Sequence, residues 1–168
     1  MKEIVQKENK VLRQVVKEIS LDDISSDEVK NTIKDMEETL SSQSDGAALA
    51  APQIGVSLSI FIISPIAYEE SDNKFEEKHF VFINPKIIKK SLDRKLVEEG
   101  CLSVRPLYGK VRRSSRATIE AYDEEGNKFI MKGKGLMAQI FQHEIDHLQG
   151  VLFIDKAKDV HELPELMD

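Results

Sequence analysis

An α+β domain is predicted: a mostly antiparallel sheet wrapped around one buried C-terminal helix, with an amphipathic helix near the N-terminus. Three observations predict it. Apolar residues recur every three to four positions in two separate segments, around residues 29–40 and 136–148. Between these lie short runs rich in branched and aromatic side chains, punctuated by polar turns. The order is helix, strands, helix rather than a strict alternation, which favours segregated elements over a parallel sheet. At 168 residues the chain reads as one domain, residues 1–168, large enough to bury a core.

Taken in order, Ser25 and Ser26 precede Val29, Ile33, Met36 and Leu40, which share one face and define a serine-capped helix. A polar stretch, residues 41–45, leads to Gly46 and to a small apolar segment broken by Pro52 and Gly55. Residues 57–64, 80–83 and 95–98 read as strands, with an acidic connector at 69–78 between the first two. Residues 117–122 and 128–131 flank Gly126-Asn127 as a hairpin. From Leu136 the period becomes helical: Leu136, Met137, Ile140, Phe141, Ile145 and Leu148 form a wide apolar stripe that Gly150 can close. Residues 156–168 read as a short acidic tail.

The chain is 40% hydrophobic and 32% charged, with 24 Lys plus Arg against 30 Asp plus Glu and a formal net charge of -6. That balance argues against nucleic-acid binding of its own, which needs basic surface to displace counterions. Arg105, Arg112, Arg113 and Arg116 do cluster, and read as a solvated strand face. The longest apolar stretch, around Val56 to Tyr68, is too short for a bilayer, which needs about 20 residues. The N-terminus lacks the pattern of a cleavable leader, and a single cysteine cannot make an internal disulfide. A cytoplasmic, non-membrane protein is expected.

The strongest chemical signal is His143-Glu144-Ile145-Asp146-His147, an H-E-x-x-H sequence within the second helix. Residues four apart sit one turn apart on the same face, so both imidazoles can converge on one ion. Glu144 beside the first His can reach a water and move its proton. Two histidines and a glutamate on a buried stripe need a reason to be there. A catalytic site wants a third protein ligand, and His79, His161, a carboxylate or Cys101 could supply it. His79 and His161 sit in unremarked surroundings. Cys101 follows Glu99-Gly100 at a strand end, where the glycine allows close approach; a lone Cys is more often a small buried hydrophobe than a ligand.

Three segments together resemble the peptide deformylase family. G-x-G-L-A-A-x-Q-[IV] is approximated by residues 46–54, Gly-Ala-Ala-Leu-Ala-Ala-Pro-Gln-Ile; E-G-C-L-S is intact at 99–103; Q-H-E-x-D-H-L-x-G is intact at 142–150. All three stand in the family's order, and the likeness extends from Leu12-Arg13 to residues 152–155.

The resemblance implies a hydrolase that removes the N-formyl group from N-formylmethionyl peptides of nascent proteins, releasing formate, by attack of a metal-bound water. It implies Cys101, His143 and His147 as ligands of one divalent metal. The family suggests Fe²⁺ physiologically, with Zn²⁺, Ni²⁺ or Co²⁺ suited to the same donors. It implies Glu144 as the proton shuttle, and the Gln53 side-chain amide with the Leu102 backbone N–H as oxyanion donors. Gly46, Ala47, Ala48 and Gly100 would pair with the peptide as an added strand, and Val97, Leu136 and Ile140 would line an apolar methionine pocket. Glu99 with Arg113 would steady the ligand loop; apart from the resemblance, Asp146 reads either as support for a ligating histidine or as an ordinary helix carboxylate.

The chain departs from the family pattern in four places. Ala48 replaces the second glycine of the first motif, Arg105 stands where proline is usual, Leu107-Tyr108-Gly109 differs from the common run, and Gln139 is polar one turn before His143. Its acidic tail lacks the basic helix by which some members dock on the ribosome, so ribosome contact is expected to be transient at best. Two other readings remain: a metal hydrolase acting on another amide, and an inactive relative that binds formylated peptides. Glu144 and Gln53, both present, weigh against the second.

Overall fold

The computed structural model describes residues 1–163. Its elements in chain order are α1 (Asp27–Ser41), β1 (Ala48–Ala50), β2 (Ile60–Ile63), α2 (Pro65–Glu70), β3 (Val81–Lys90), β4 (Arg94–Gly100), β5 (Leu107–Ser114), β6 (Arg116–Tyr122), β7 (Lys128–Lys134), α3 (Leu136–Leu148) and β8 (Lys158–Glu162). The α+β expectation is met with one refinement: the antiparallel strands form two sheets. Five strands run in the order β1-β2-β3-β6-β7 and three in the order β4-β5-β8.

Local chemistry explains the two main helices. The Ser26 side chain accepts from Val29 N at 3.3 Å and caps α1, whose buried face is Val29, Ile33, Met36 and Leu40. That face packs on Leu49, Ile60, Ile62, Val81 and Ile83, the outer side of the larger sheet. Helix α3 has no exposed residue along its length. Met137, Ala138, Ile140, Phe141 and Leu148 bury against the inner side, among Phe61, Phe82, Ile119 and Met131. The Phe61 and Phe82 rings stack at 4.5 Å, and Gly150 closes the helix at φ 74°. A third cluster, Leu12, Val104, Val111, Leu152 and Phe153, underlies the smaller sheet.

Several sequence expectations need correction. Strand β3 runs to Lys90, well beyond residue 83, and β7 continues past residue 131 to Lys134. The connector expected at 69–78 begins inside α2, capped by Ser64. The segment read as an acidic tail from 156 is structured in part: Lys158–Glu162 pairs with β5 as β8, because a charged strand suits a sheet edge open to water. Residues 164–168 of that tail lie outside the described residues. Arg113 is not on a solvated face; it is 4% exposed. Among the described residues no helix is long and apolar enough to cross a membrane.

Candidate metal centre and its cleft

Helix α3 carries His143 and His147 one turn apart, and the turn after β4 carries Cys101 into contact with them. Cys101 Sγ lies 3.3 Å from His147 Nε2, and the two Nε2 atoms are 3.2 Å apart. All three donor atoms fall within 4.8 Å of one another, forming the one such cluster among the described residues. Tetrahedral bonds of about 2.3 Å to sulfur and about 2.1 Å to nitrogen would set neighbouring donors roughly 3.3–3.6 Å apart. A single thiolate with two imidazoles of matching spacing therefore fits a divalent ion. The alternatives for a third donor are elsewhere: His79 stacks on Phe129 at 3.7 Å, and His161 lies on β8 with Nε2 3.9 Å from Glu98.

Behind the donors is a buried ionic network. Glu99 Oε1 bonds His143 Nδ1 at 2.7 Å, which directs Nε2 toward Cys101 and His147. Arg113 donates to both Glu99 oxygens, from Nε at 2.7 Å and Nη2 at 2.8 Å, and from Nη1 to Asp146 at 2.7 Å. Asp146 also accepts from Lys156 Nζ at 3.1 Å. Asp146 therefore reaches Arg113 and Lys156 rather than a histidine, and it acts on the donors only through Arg113 and Glu99.

Burial and these partners set the charges. Burial opposes ionisation of Glu99, but Arg113 and His143 outweigh it and hold the carboxyl at about 2. Burial alone would lower His143; Cys101 and Glu99 beside it instead keep its imidazole well above the usual range. His147, buried and next to His143, is pushed well below it. Burial raises the Glu144 carboxyl to about 7, and its Oε2 has no protein partner. His147 Nδ1 is likewise buried without one.

Cys101 and His143 lie on the floor of a cleft of about 320 Å³, with His147 buried behind them. One wall is Gly46 and Ala47 leading into Ala48, the first residue of β1; the other is Glu98, Glu99 and Gly100, the end of β4. Each is the edge strand of its sheet. Gln53 is buried at the inner end: its Oε1 accepts from Ala50 N at 2.9 Å, and its Nε2 donates to Ser103 Oγ at 3.2 Å and lies 3.5 Å from Cys101 Sγ. Leu102 lines the cleft beside it, as do Leu136, Ile140 and Glu144, whereas Val97 does not. Gln139 donates to the Glu98 carbonyl at 2.9 Å and ties α3 to β4. Ala48 lies in β1 and is not among the residues with positive φ, so the glycine it replaces is not needed here for backbone conformation.

Four contributors escaped sequence reasoning. Ser103 holds the Gln53 amide. The Tyr108 ring fills the space beside Gly100, where a Cβ would come within 2.5 Å of it. Lys156 completes the Asp146 contacts, and Asp45 pairs with Arg105 across the cleft mouth. Ser103 carried a signal as the last residue of the E-G-C-L-S segment, and Tyr108 as part of a run that departs from the family pattern; the others are contacts made by the folded chain.

Comparison with known proteins agrees with this geometry. The family model described as polypeptide deformylase matches residues 1–162. Peptide deformylase 2 of Clostridium acetobutylicum is 36% identical, covering 92% of this chain and 94% of that protein. The peptide deformylase of Halalkalibacterium halodurans is 41% identical, covering 94% and 91%. Among solved structures, the peptide deformylase of Thermotoga maritima superposes with a TM-score of 0.80 at 32% identity, over 94% of this chain and 98% of that one. That of Synechococcus elongatus, in complex with actinonin, gives 0.79 at 35% identity, over 94% and 79%. With family model, sequence relatives and superposed structures agreeing over nearly its whole length, the chain belongs to the polypeptide deformylase family of enzymes.

Proposed function

We propose that this chain hydrolyses the formyl group from N-formylmethionyl peptides, releasing formate and a free amino terminus. The observation that carries the reading is the convergence of Cys101 Sγ and the His143 and His147 Nε2 atoms beneath a cleft walled by two edge strands. A divalent ion held by these three donors would supply a Lewis acid that acidifies water and polarises the formyl oxygen. Fe²⁺ is the family's expected ion; the donor set also suits Zn²⁺, Co²⁺ and Ni²⁺.

The remaining chemistry belongs to side chains of this chain. Glu144, raised by burial to about 7, takes a proton from the attacking water and passes it to the amine nitrogen as the C–N bond breaks. The Gln53 amide and the Leu102 N–H stand beside the cleft floor as donors for the negative charge that develops on the formyl oxygen. The facing edges of β1 and β4 accept the peptide main chain as an added strand, reading backbone rather than side-chain identity. Leu136 and Ile140 offer apolar surface for the methionine side chain. Glu99, held ionised by Arg113, keeps His143 oriented.

Protein loaded anaerobically with Fe²⁺, or with Ni²⁺, is expected to release formate from formyl-Met-Ala-Ser and no acetate from acetyl-Met-Ala-Ser. Glu144→Ala should lower turnover by about 10²–10⁴-fold while the protein still binds one equivalent of metal. Formate release unaffected by Glu144→Ala would remove its assigned role. No release by metal-loaded protein would sink the substrate assignment.

A further inference from the structure

We propose that Arg105 is a carboxylate-recognition residue at the cleft mouth, held in check by Asp45 and transferred to acidic side chains that follow the methionine of a substrate. The inference rests on the peptide-hydrolysing reading above and names what sets the charge preference of that cleft.

Arg105 Nη2 donates to Asp45 Oδ1 at 2.7 Å. Asp45 belongs to the loop between α1 and β1, and Arg105 to the turn between Cys101 and β5. Both line the cleft. Gln53 and Ser103 link the same two stretches of chain where they are buried, and the Asp45–Arg105 pair links them again where both side chains meet water. Asp45 precedes Ala50, the residue whose N–H meets Gln53, by five positions. At an extended rise of about 3.3 Å per residue this separates the two crossings by up to roughly 16 Å. A peptide strand with its formyl end at Gln53 therefore brings the residues after its methionine to the Asp45–Arg105 pair.

The charge around that point is one-sided. Asp45, Glu98, Glu99 and Glu144 line the cleft, and among the described residues Arg105 is the only Lys or Arg that does. Glu99 is already saturated by Arg113 and His143, but Glu98 and Asp45 would repel an acidic peptide side chain. Arg105, placed beside Asp45, offsets that repulsion at the outer end of the cleft. Asp45 engages a single guanidinium nitrogen, leaving the rest of the fork available to a second carboxylate. The exchange is cheap, because the Arg105 and Asp45 side chains are 46% and 55% exposed and the displaced Asp45 returns to water. A basic peptide side chain meets Glu98 and Asp45 and makes no use of Arg105.

The test compares kcat/KM for formyl-Met-Xaa-Xaa peptides with Ala, Asp or Lys at both variable positions, for the metal-loaded wild type, Arg105→Ala and Asp45→Asn. Arg105→Ala should lower the Asp-to-Ala ratio by about two- to fivefold, through KM, and Asp45→Asn should raise it by a similar factor. Both changes should fade in about 1 M salt, where exposed charges are screened. The Lys-to-Ala ratio should not fall in Arg105→Ala. If all three peptides decline together, the pair only holds the walls and the proposal is overturned; unmoved ratios overturn it equally. If wild type releases no formate from the alanine peptide, the functional reading fails and this inference falls with it. Robust release with unmoved ratios sinks this inference alone.

Discussion

Arg113 shows how one side chain can organise a site it does not enter. The residue is 4% exposed, and its guanidinium satisfies Glu99 through two bonds and Asp146 through one. Removing one partner of a buried pair is costly because the remaining charge has lost both water and counterion. Arg113→Met should therefore destabilise the fold by about 3–5 kcal/mol, read from chemical denaturation. It should also weaken metal binding, because Glu99 no longer holds His143 in place. Arg13 bonds Asp155 in two places but is 45% exposed, so Arg13→Met should cost about 1 kcal/mol or less. Equal losses in the two variants would refute the ordering. The Glu99–Arg113 pair was legible in the sequence only through family resemblance. The Asp146–Arg113 contact was not legible, since the partners are 33 positions apart and no local period links them.

At the scale of elements, the seating of α3 on the larger sheet depends on Gly133 in β7. A Cβ there would meet Phe141 Cε2 at 2.8 Å, Met137 Cβ at 3.1 Å and the Ala138 backbone nitrogen at 3.2 Å. The helix cannot yield without moving its histidines, and Phe141 is fully buried. Gly133→Ala is expected to destabilise by about 1–3 kcal/mol through overpacking and to lower metal affinity, measured by urea denaturation and metal titration. Stability equal to wild type would show that the helix can shift freely. A glycine inside a strand is a signal of close backbone approach, but here it lay beyond the strand end read at residue 131. The two helices were legible because each needs only local information: a cap, and an apolar period that repeats within four residues. Strands β1, β5 and β8 were not, because their residues become strands by pairing with partners distant in sequence.

For the molecule as a whole, the two sheets are joined through α3 and through the N-terminal segment. Leu12, fully buried, packs with Val104, Val111, Leu152 and Phe153 under the smaller sheet. The Arg13–Asp155 pair ties the same regions, and Val5 N–H bonds the Gln53 carbonyl at 2.9 Å. Leu12→Ala should cost about 2–5 kcal/mol, yet unfolding should remain one transition, with fluorescence and circular dichroism curves coinciding. Separate transitions would mean that the smaller sheet melts alone and that the walls of the cleft are less firmly coupled than these contacts imply.

The sequence by itself determined that this is an α+β chain, that Ser26 starts one helix, and that a second helix presents two histidines on one face. Through its three ordered segments it also pointed to a deformylase. These conclusions rest on chemistry within a few residues or on motifs of contiguous residues. By residue type alone, Cys101, His79, His161 and the carboxylates stayed open as third donors. Only the tertiary structure brought Cys101 Sγ to 3.3 Å from His147 Nε2, split the strands into two sheets with facing edges, buried Arg113 and set Arg105 against Asp45. Each of these depends on where the chain returns after tens of residues. That path is chosen by the sum of many burial and pairing energies, and no local pattern encodes it.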